Sequence, residues 1–309
     1  MKKIISALVL VLGLSAAWAL AAQEAEQVPA PAPAYPALEI QRPLEIKPRA
    51  FELRAEFSYL STDHGFNNDG SSEKLPRDWN IFMAEIDLGY GIFRGVEVGA
   101  SIPFLNGREV YAKGQDLGDT SLYGLFRLWQ SRDQNDEIAL RMRITVPTGN
   151  PDRKMTIEHG KFVPDNIRTS DPVVDIFPAL QARFTFPKFA LRAGAEYGYR
   201  IGGNIQYGID ALDSTVRFDP GASFAANFDF LYQASDRWVP GVSLAYFTQE
   251  SNRQQKHSLD DANYLLSVNP MVEFQAAKDY DLIAAFGIPL AGKNSPNGIT
   301  YIVGLKTRF

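Results

Sequence analysis

The chain has no cysteine among its 309 residues. That excludes structural disulfides, thiolate metal sites and lipid attachment at a leader cysteine. After the first two dozen residues no stretch holds eighteen uninterrupted apolar side chains, so nothing there can cross a bilayer as a helix. Histidine is scarce, with only His64, His159 and His257 to serve as bases or metal ligands. Basic excess is also lacking: the formal charge is −5 and falls to −7 if Lys2 and Lys3 are removed, which makes a nucleic-acid partner a poor match. No glycine-rich phosphate loop follows a strand and opens a helix, so no nucleotide cofactor is expected.

What is present begins with a leader. Lys2 and Lys3 precede an apolar run from Ile4 to about Leu14, followed by small residues around Ala17, Ala19, Ala21 and Ala22. This is the pattern of a cleaved secretory signal peptide over residues 1–22, and it predicts export. Residues 23–49 form a Pro-rich N-terminal segment expected in the periplasm. Within it, QVPAPAPAYPA (27–37) favours an extended polyproline conformation without a core. The stretch LEIQRPLEIKPR (38–49) either lies against a neighbouring surface or threads into it; its residues do not choose.

From Ala50 the apolar period becomes two. Ile299, Tyr301, Val303, Leu305, Thr307 and Phe309 share one face, while Thr300, Ile302, Gly304, Lys306 and Arg308 share the other. Phe51, Leu53, Ala55, Phe57 and Tyr59 likewise oppose Glu52, Arg54, Glu56 and Ser58. A soluble sandwich shows the same alternation, but its strands centre near five or six residues. Here the alternating segments run about nine to fourteen, the reach of a tilted strand crossing a membrane. Twelve such segments are predicted, near 50–61, 78–91, 95–106, 117–130, 136–148, 171–187, 189–202, 219–234, 237–249, 262–277, 279–291 and 298–309. Tight connections alternate with longer ones at 62–77, 107–116, 149–170, 203–218, 250–261 and 292–297. The predicted fold is all-β: a closed antiparallel transmembrane β-barrel over 50–309, with short periplasmic turns and longer external loops, in the cell outer membrane of a Gram-negative bacterium. Its partners would be outer-membrane lipid and the barrel-assembly machinery. Terminal Phe309, an aromatic closing an alternating last strand, is the expected assembly signal.

The polar face of each segment is charged, and unevenly so. An acidic arc comprises Glu52, Glu56, Glu85, Asp87 and Glu97; a basic arc on the fourth to seventh segments comprises Arg127, Arg141, Arg143, Arg183, Arg192 and Arg200. Facing a lumen, these arcs either orient a small-molecule solute or pair with one another and fill the interior. A channel or transporter for small molecules is therefore expected first, a structural or adhesive barrel second and a barrel enzyme third. Asp63 adjoins His64, but neighbours on an extended chain point apart, so no catalytic residue is assigned. The three histidines fall in predicted external loops, and NNDGSS (67–72) lacks the spacing of a twelve-residue calcium loop; no metal or other cofactor is assigned.

One part of the chain resembles a known family, the transporter-like outer-membrane β-barrels of the meta-pathway of phenol degradation. The likeness is carried by Gly118, Asp119, Thr120, Leu122, Tyr123, Phe126 and Arg127, and then by Val146, Pro147, Thr148 and Gly149. Asn150 stands where the family usually has an acid, and beyond about residue 200 only the barrel pattern is legible. The resemblance implies a barrel of about this size linked to uptake of small, often hydrophobic or aromatic compounds. Gly118, Pro147 and Gly149 also suit strand ends on physical grounds alone.

Overall fold

The computed structural model describes residues 40, 42–108, 113–150, 153–158, 161–164, 170, 173–209, 212–277 and 279–309. The expected leader, the polyproline stretch and His159 lie outside these residues.

Twelve antiparallel strands close into one barrel. In chain order they are β1 (Phe51–Phe66), β2 (Ser72–Phe93), β3 (Val96–Arg108), β4 (Thr120–Gln130), β5 (Glu137–Val146), β6 (Val174–Thr185), β7 (Phe189–Ile201), β8 (Ser223–Tyr232), β9 (Trp238–Gln249), β10 (Asn263–Ala277), β11 (Tyr280–Lys293) and β12 (Thr300–Arg308). Each pairs with the next, and β12 returns to β1 in register from Glu52↔Arg308 to Leu60↔Thr300, so the sheet has no free edge. Phe51 and Phe309 extend that seam by exchanging both backbone hydrogen bonds, at 2.7 and 3.0 Å.

Alternation decides which side chains face out. Leu122, Phe228 and Val303 expose 50%, 50% and 58% of their surface, a waste of apolar area that a soluble fold would bury. Exposed Phe, Tyr, Leu and Val recur around the whole ring, which makes the outer wall a lipid-facing belt. Aromatic pairs mark its lower rim: Phe51 with Tyr90 at 4.5 Å, Phe186 with Phe189 at 4.3 Å and Trp238 with Phe274 at 4.5 Å between centroids. With both described ends of the barrel chain on that side, the turns there are tight, at 94–95, 131–136 and 233–237.

The other end departs from the expected run of loops. The 62–77 connection is mostly strand, because β1 and β2 pair as far as Phe66↔Ser72 around a turn at 67–71. Three further connections build a second sheet of six short strands, ordered 257–258, 253–254, 212–219, 203–209, 153–158 and 161–164. Its 203–209 and 153–158 strands run parallel, and the rest are antiparallel. Buried Val173 and Phe218 pack together where this sheet meets the root of β6.

Ile40 and residues 42–48 run across the inside of the barrel at the end that holds both its termini. Ile40 is fully buried against Ala190 of β7, Leu231 of β8 and Val239 of β9, with Met271 of β10 beside them. Of the two alternatives left by the sequence for residues 38–49, the described part threads inward.

Candidate functional site: a plugged lumen

The inserted segment is bound by two clusters of buried charge. Asp281 of β11, 1% exposed, accepts from Arg308 of β12 at 2.7 Å and from Arg42 of the segment at 2.8 Å. Arg308 also donates to Glu52 of β1 at 2.8 Å, so the plug's only described arginine within the lumen joins the pairs that cross the barrel seam. On the opposite wall Glu137 of β5 is fully buried and accepts the Leu44 N–H at 2.8 Å. Arg183 of β6 lies 3.5 Å from the same carboxylate and donates to the Ile40 carbonyl at 3.3 Å. Glu45 of the segment pairs with Arg127 of β4. A third contact is Glu97 of β3, whose two oxygens accept from the Ile46 N–H and the Tyr123 hydroxyl, each at 2.7 Å.

Glu45 belongs to the inserted segment rather than to a spanning strand. Burial, and then the nearby Glu137, hold its carboxyl above the ordinary value despite the opposing pull of Arg127. Buried pairs of this kind are poor net stabilisers but strict in geometry, because removing one partner strands the other charge in a dry site. Burial of Ile40 and Ile46 supplies attraction, and the ion pairs fix the register at which the segment sits.

Beyond the plug the lumen opens into three chambers. The innermost, about 340 Å³, is bounded by Leu44 and Ile46 and lined by all five residues of the acidic arc, Glu52, Glu56, Glu85, Asp87 and Glu97, together with Arg54, Tyr123 and Arg141. Arg141 also lines the middle chamber, about 350 Å³, whose wall of Ala179, Ala225, Ala245 and Gly194 is made of small side chains. Glu196 and Phe247 connect that chamber to the outermost, about 440 Å³, which is lined by Arg143, Arg200, Asp175 and Phe177.

The basic arc therefore divides by depth. Arg127 and Arg183 lie beneath the plug. Arg141 spans two chambers with its guanidinium 4.4 Å from the Tyr123 ring centre. Arg143 donates to Glu196 at 2.6 Å and lies 4.0 Å over Phe177, while Arg200 Nε contacts both Asp175 oxygens at 3.2 Å. Arg192 stands in register with Asp229 on β8 and Arg183 on β6. Carboxylates on neighbouring strands thus serve several of these arginines, a pairing invisible to a count of charges by face. Phe177 and Phe247, which give the outer chamber its aromatic surface, were missed by the sequence reading; both sit on the polar phase of their strands, which is the signal that finds them.

The motif residues form a clasp at the far ends of β4 and β5. Asp119 Oδ1 accepts the N–H groups of Thr148 and Gly149 at 3.2 and 3.3 Å, while Thr148 Oγ1 donates to the Gly118 carbonyl at 2.9 Å and accepts the Thr120 N–H at 2.8 Å. One argument from the sequence is corrected: Asp63 and His64 do not point apart but meet at 2.7 Å, because the β1–β2 register shifts between Thr62 and His64. The pair is exposed on the outer hairpin, outside the chambers. Among the described residues no group of three His, Cys, Asp or Glu is placed to hold a metal. Phe309 stacks on Phe51 at 5.9 Å at the lower rim.

A model of the family described as "Putative MetA-pathway of phenol degradation" matches residues 181–302, the family that the 118–149 motif resembles. The match falls where only the barrel pattern had been legible. Among solved structures, the chain is similar to the COG4313 outer membrane channel from Pseudomonas putida F1, with TM-score 0.70 at 14% identity, covering 92% of this chain and 100% of that one. Weaker likenesses include the KdgM porin in complex with disordered oligogalacturonate, TM-score 0.45 at 10% identity over 84% and 99% of the chains. A Pseudomonas aeruginosa FadL homologue scores 0.40 at 10% identity over 87% and 90%. No curated protein matches the chain in sequence.

Proposed function

We propose that this chain is an outer-membrane channel for small molecules, closed at its periplasmic mouth by its own residues 40–48. The observation that carries this reading is the succession of three chambers inside a closed barrel, ending at a segment held by buried contacts that can be undone. The lipid-facing outer wall supports the location, and the fold shared with an outer membrane channel agrees with it. Export would remove residues 1–22, residues 23–39 would lie in the periplasm ahead of the plug, and Phe309 would be presented to the barrel-assembly machinery. The solute class that fits is a small compound with an apolar or aromatic body, received by Phe177, Phe247 and the alanine wall, and carrying a polar group toward the arginine and carboxylate pairs. No enzymatic role is read: the Asp63–His64 pair lies away from every chamber, and among the described residues no other histidine lines one.

The rival is a structural barrel with a filled interior, favoured by the pairing of Arg127, Arg143, Arg183 and Arg200 with carboxylates. Single-channel recording in planar bilayers separates the two. Conductance steps should be rare in the wild type and frequent in Arg42→Glu, whose plug is repelled by Asp281. Silence from both proteins would leave the filled barrel standing.

A further inference from the structure

Residues 40–48 are gripped as a peptide ligand is gripped. One set of contacts reads main chain: Glu137 takes the Leu44 N–H, Glu97 takes the Ile46 N–H, and Arg183 and Thr185 both donate to the Ile40 carbonyl, at 3.3 and 3.2 Å. Farther along, the Arg49 N–H reaches the Gly91 carbonyl at 2.6 Å, and Pro48 bridges Gly91 in parallel. Such contacts read the course of the backbone and not the side chains it carries.

A second set reads side chains. Ile40 fills the socket of Ala190, Leu231 and Val239; Arg42 meets Asp281; Glu45 meets Arg127. The wall is also cut to let the backbone pass. A Cβ on Gly89 would collide with the Ile46 side chain, and one on Gly91 with the Lys47 carbonyl, so both positions of β2 leave a lane that a side chain would close.

The geometry points to a peptide-binding site at the periplasmic end of the lumen, of which residues 40–48 are the resident occupant. It takes a chain that bends as the resident does at Arg42, Leu44 and Glu45 and bears an apolar residue, a cation two positions on and an acid three further. A peptide of that pattern arriving from the periplasm competes with the resident for Asp281, Arg127 and the two carboxylates that read backbone. The resident is tethered directly to β1, at an effective concentration of about millimolar or above. A free peptide therefore binds well only when the resident is loosened. As a ligand class for the channel, this rests on the reading above, although binding itself needs no open path.

The test uses the full chain in detergent micelles, with folding checked by the heat-dependent gel shift of a closed barrel. A fluorescent peptide spanning residues 39–48 is titrated by anisotropy against the wild type, Arg42→Glu and, as a second loosened chain, Ile40→Asp. Saturable binding to both variants is expected, about tenfold or more weaker to the wild type and likewise for a peptide with its arginine changed to glutamate. Equal binding of a scrambled peptide, or no binding to either folded variant, overturns the inference. If Ile40→Asp conducts in bilayers but binds no peptide, this inference fails alone; if peptide binds but no variant conducts, the channel reading fails alone.

Discussion

The two ends of the lumen handle charge in different ways. At the periplasmic end Asp281, Glu137, Arg183 and Arg42 are buried to within a few per cent of full burial, and part of each cluster comes from an inserted segment. At the external end the pairs lie within the wall: Arg200 with Asp175 joins neighbouring strands, Arg143 reaches past β6 to Glu196 of β7, and the two leave room between them. A barrel needs only the second arrangement to line a water-filled interior with charge. The first cannot be completed by the wall, because Asp281 and Glu137 each accept from the plug as well as from the barrel. On the proposed reading, theirs is the geometry of a closure that can be undone.

The sharpest way to break this contrast is at Ile40. Ile40→Asp puts a carboxylate into an apolar socket and should cost the seated plug several kcal/mol, on the order of the 3–5 kcal/mol lost when a buried charge has no partner. Electrical recording should then show a mostly open protein, and a conductance equal to wild type would disprove a closed resting state. The external end is next. Replacing Arg141 and Arg143 together by alanine leaves Glu196 without its partner and the inner chamber with its acids, so permeability should shift toward cations. An unmoved reversal potential under a salt gradient would mean that neither residue lines the route.

A smaller effect follows from Glu45, which faces Glu137, Arg127 and Arg183. Its carboxyl is raised in the seated plug, so the seated state binds the proton more tightly than the released one. That contribution to closure is fully present below the ordinary value of 4.5 and is lost as pH rises through the raised value. Open events should become more frequent with rising pH, and Glu45→Gln should flatten the dependence. The smallest effect is expected far from the plug. Thr148→Val removes the hydroxyl that ties β4 to β5 and should cost about 1 kcal/mol of thermal stability, with gating untouched.

The barrel itself was legible because period-two alternation is a local signal: each residue's face follows from its neighbours alone. Strand number and most tight turns could be read that way. The outer part of the β1–β2 hairpin could not, since Glu73 and Lys74 look like loop and become strand only through pairing with Gly65 and His64 of β1. The external sheet stayed hidden for a similar reason, its strands being short and its three hairpins joined to one another only by pairings between loops. In the site, alternation shows that Arg127 and Arg183 turn inward but not what they meet. Their partners there include Glu45 and the Ile40 carbonyl, and the Arg42–Asp281 contact joins residues 239 positions apart. The plug has too few residues for a period, so only the closed ring reveals its role.

Contacts of Ile40 and residues 42–46 span the barrel from β3 to β11, with Ile46 on β3, Glu45 on β4, Ile40 on β7 to β9 and Arg42 on β11. No sheet that lacks β11 presents all of those surfaces at once. Ile40 and residues 42–46, made early in synthesis, therefore find a complete seat only once β11 has joined the sheet, so on the proposed reading a newly inserted copy passes through an unsealed stage. On that reading sealing comes late in assembly, and its timing is set by when β11 brings Asp281 to Arg42.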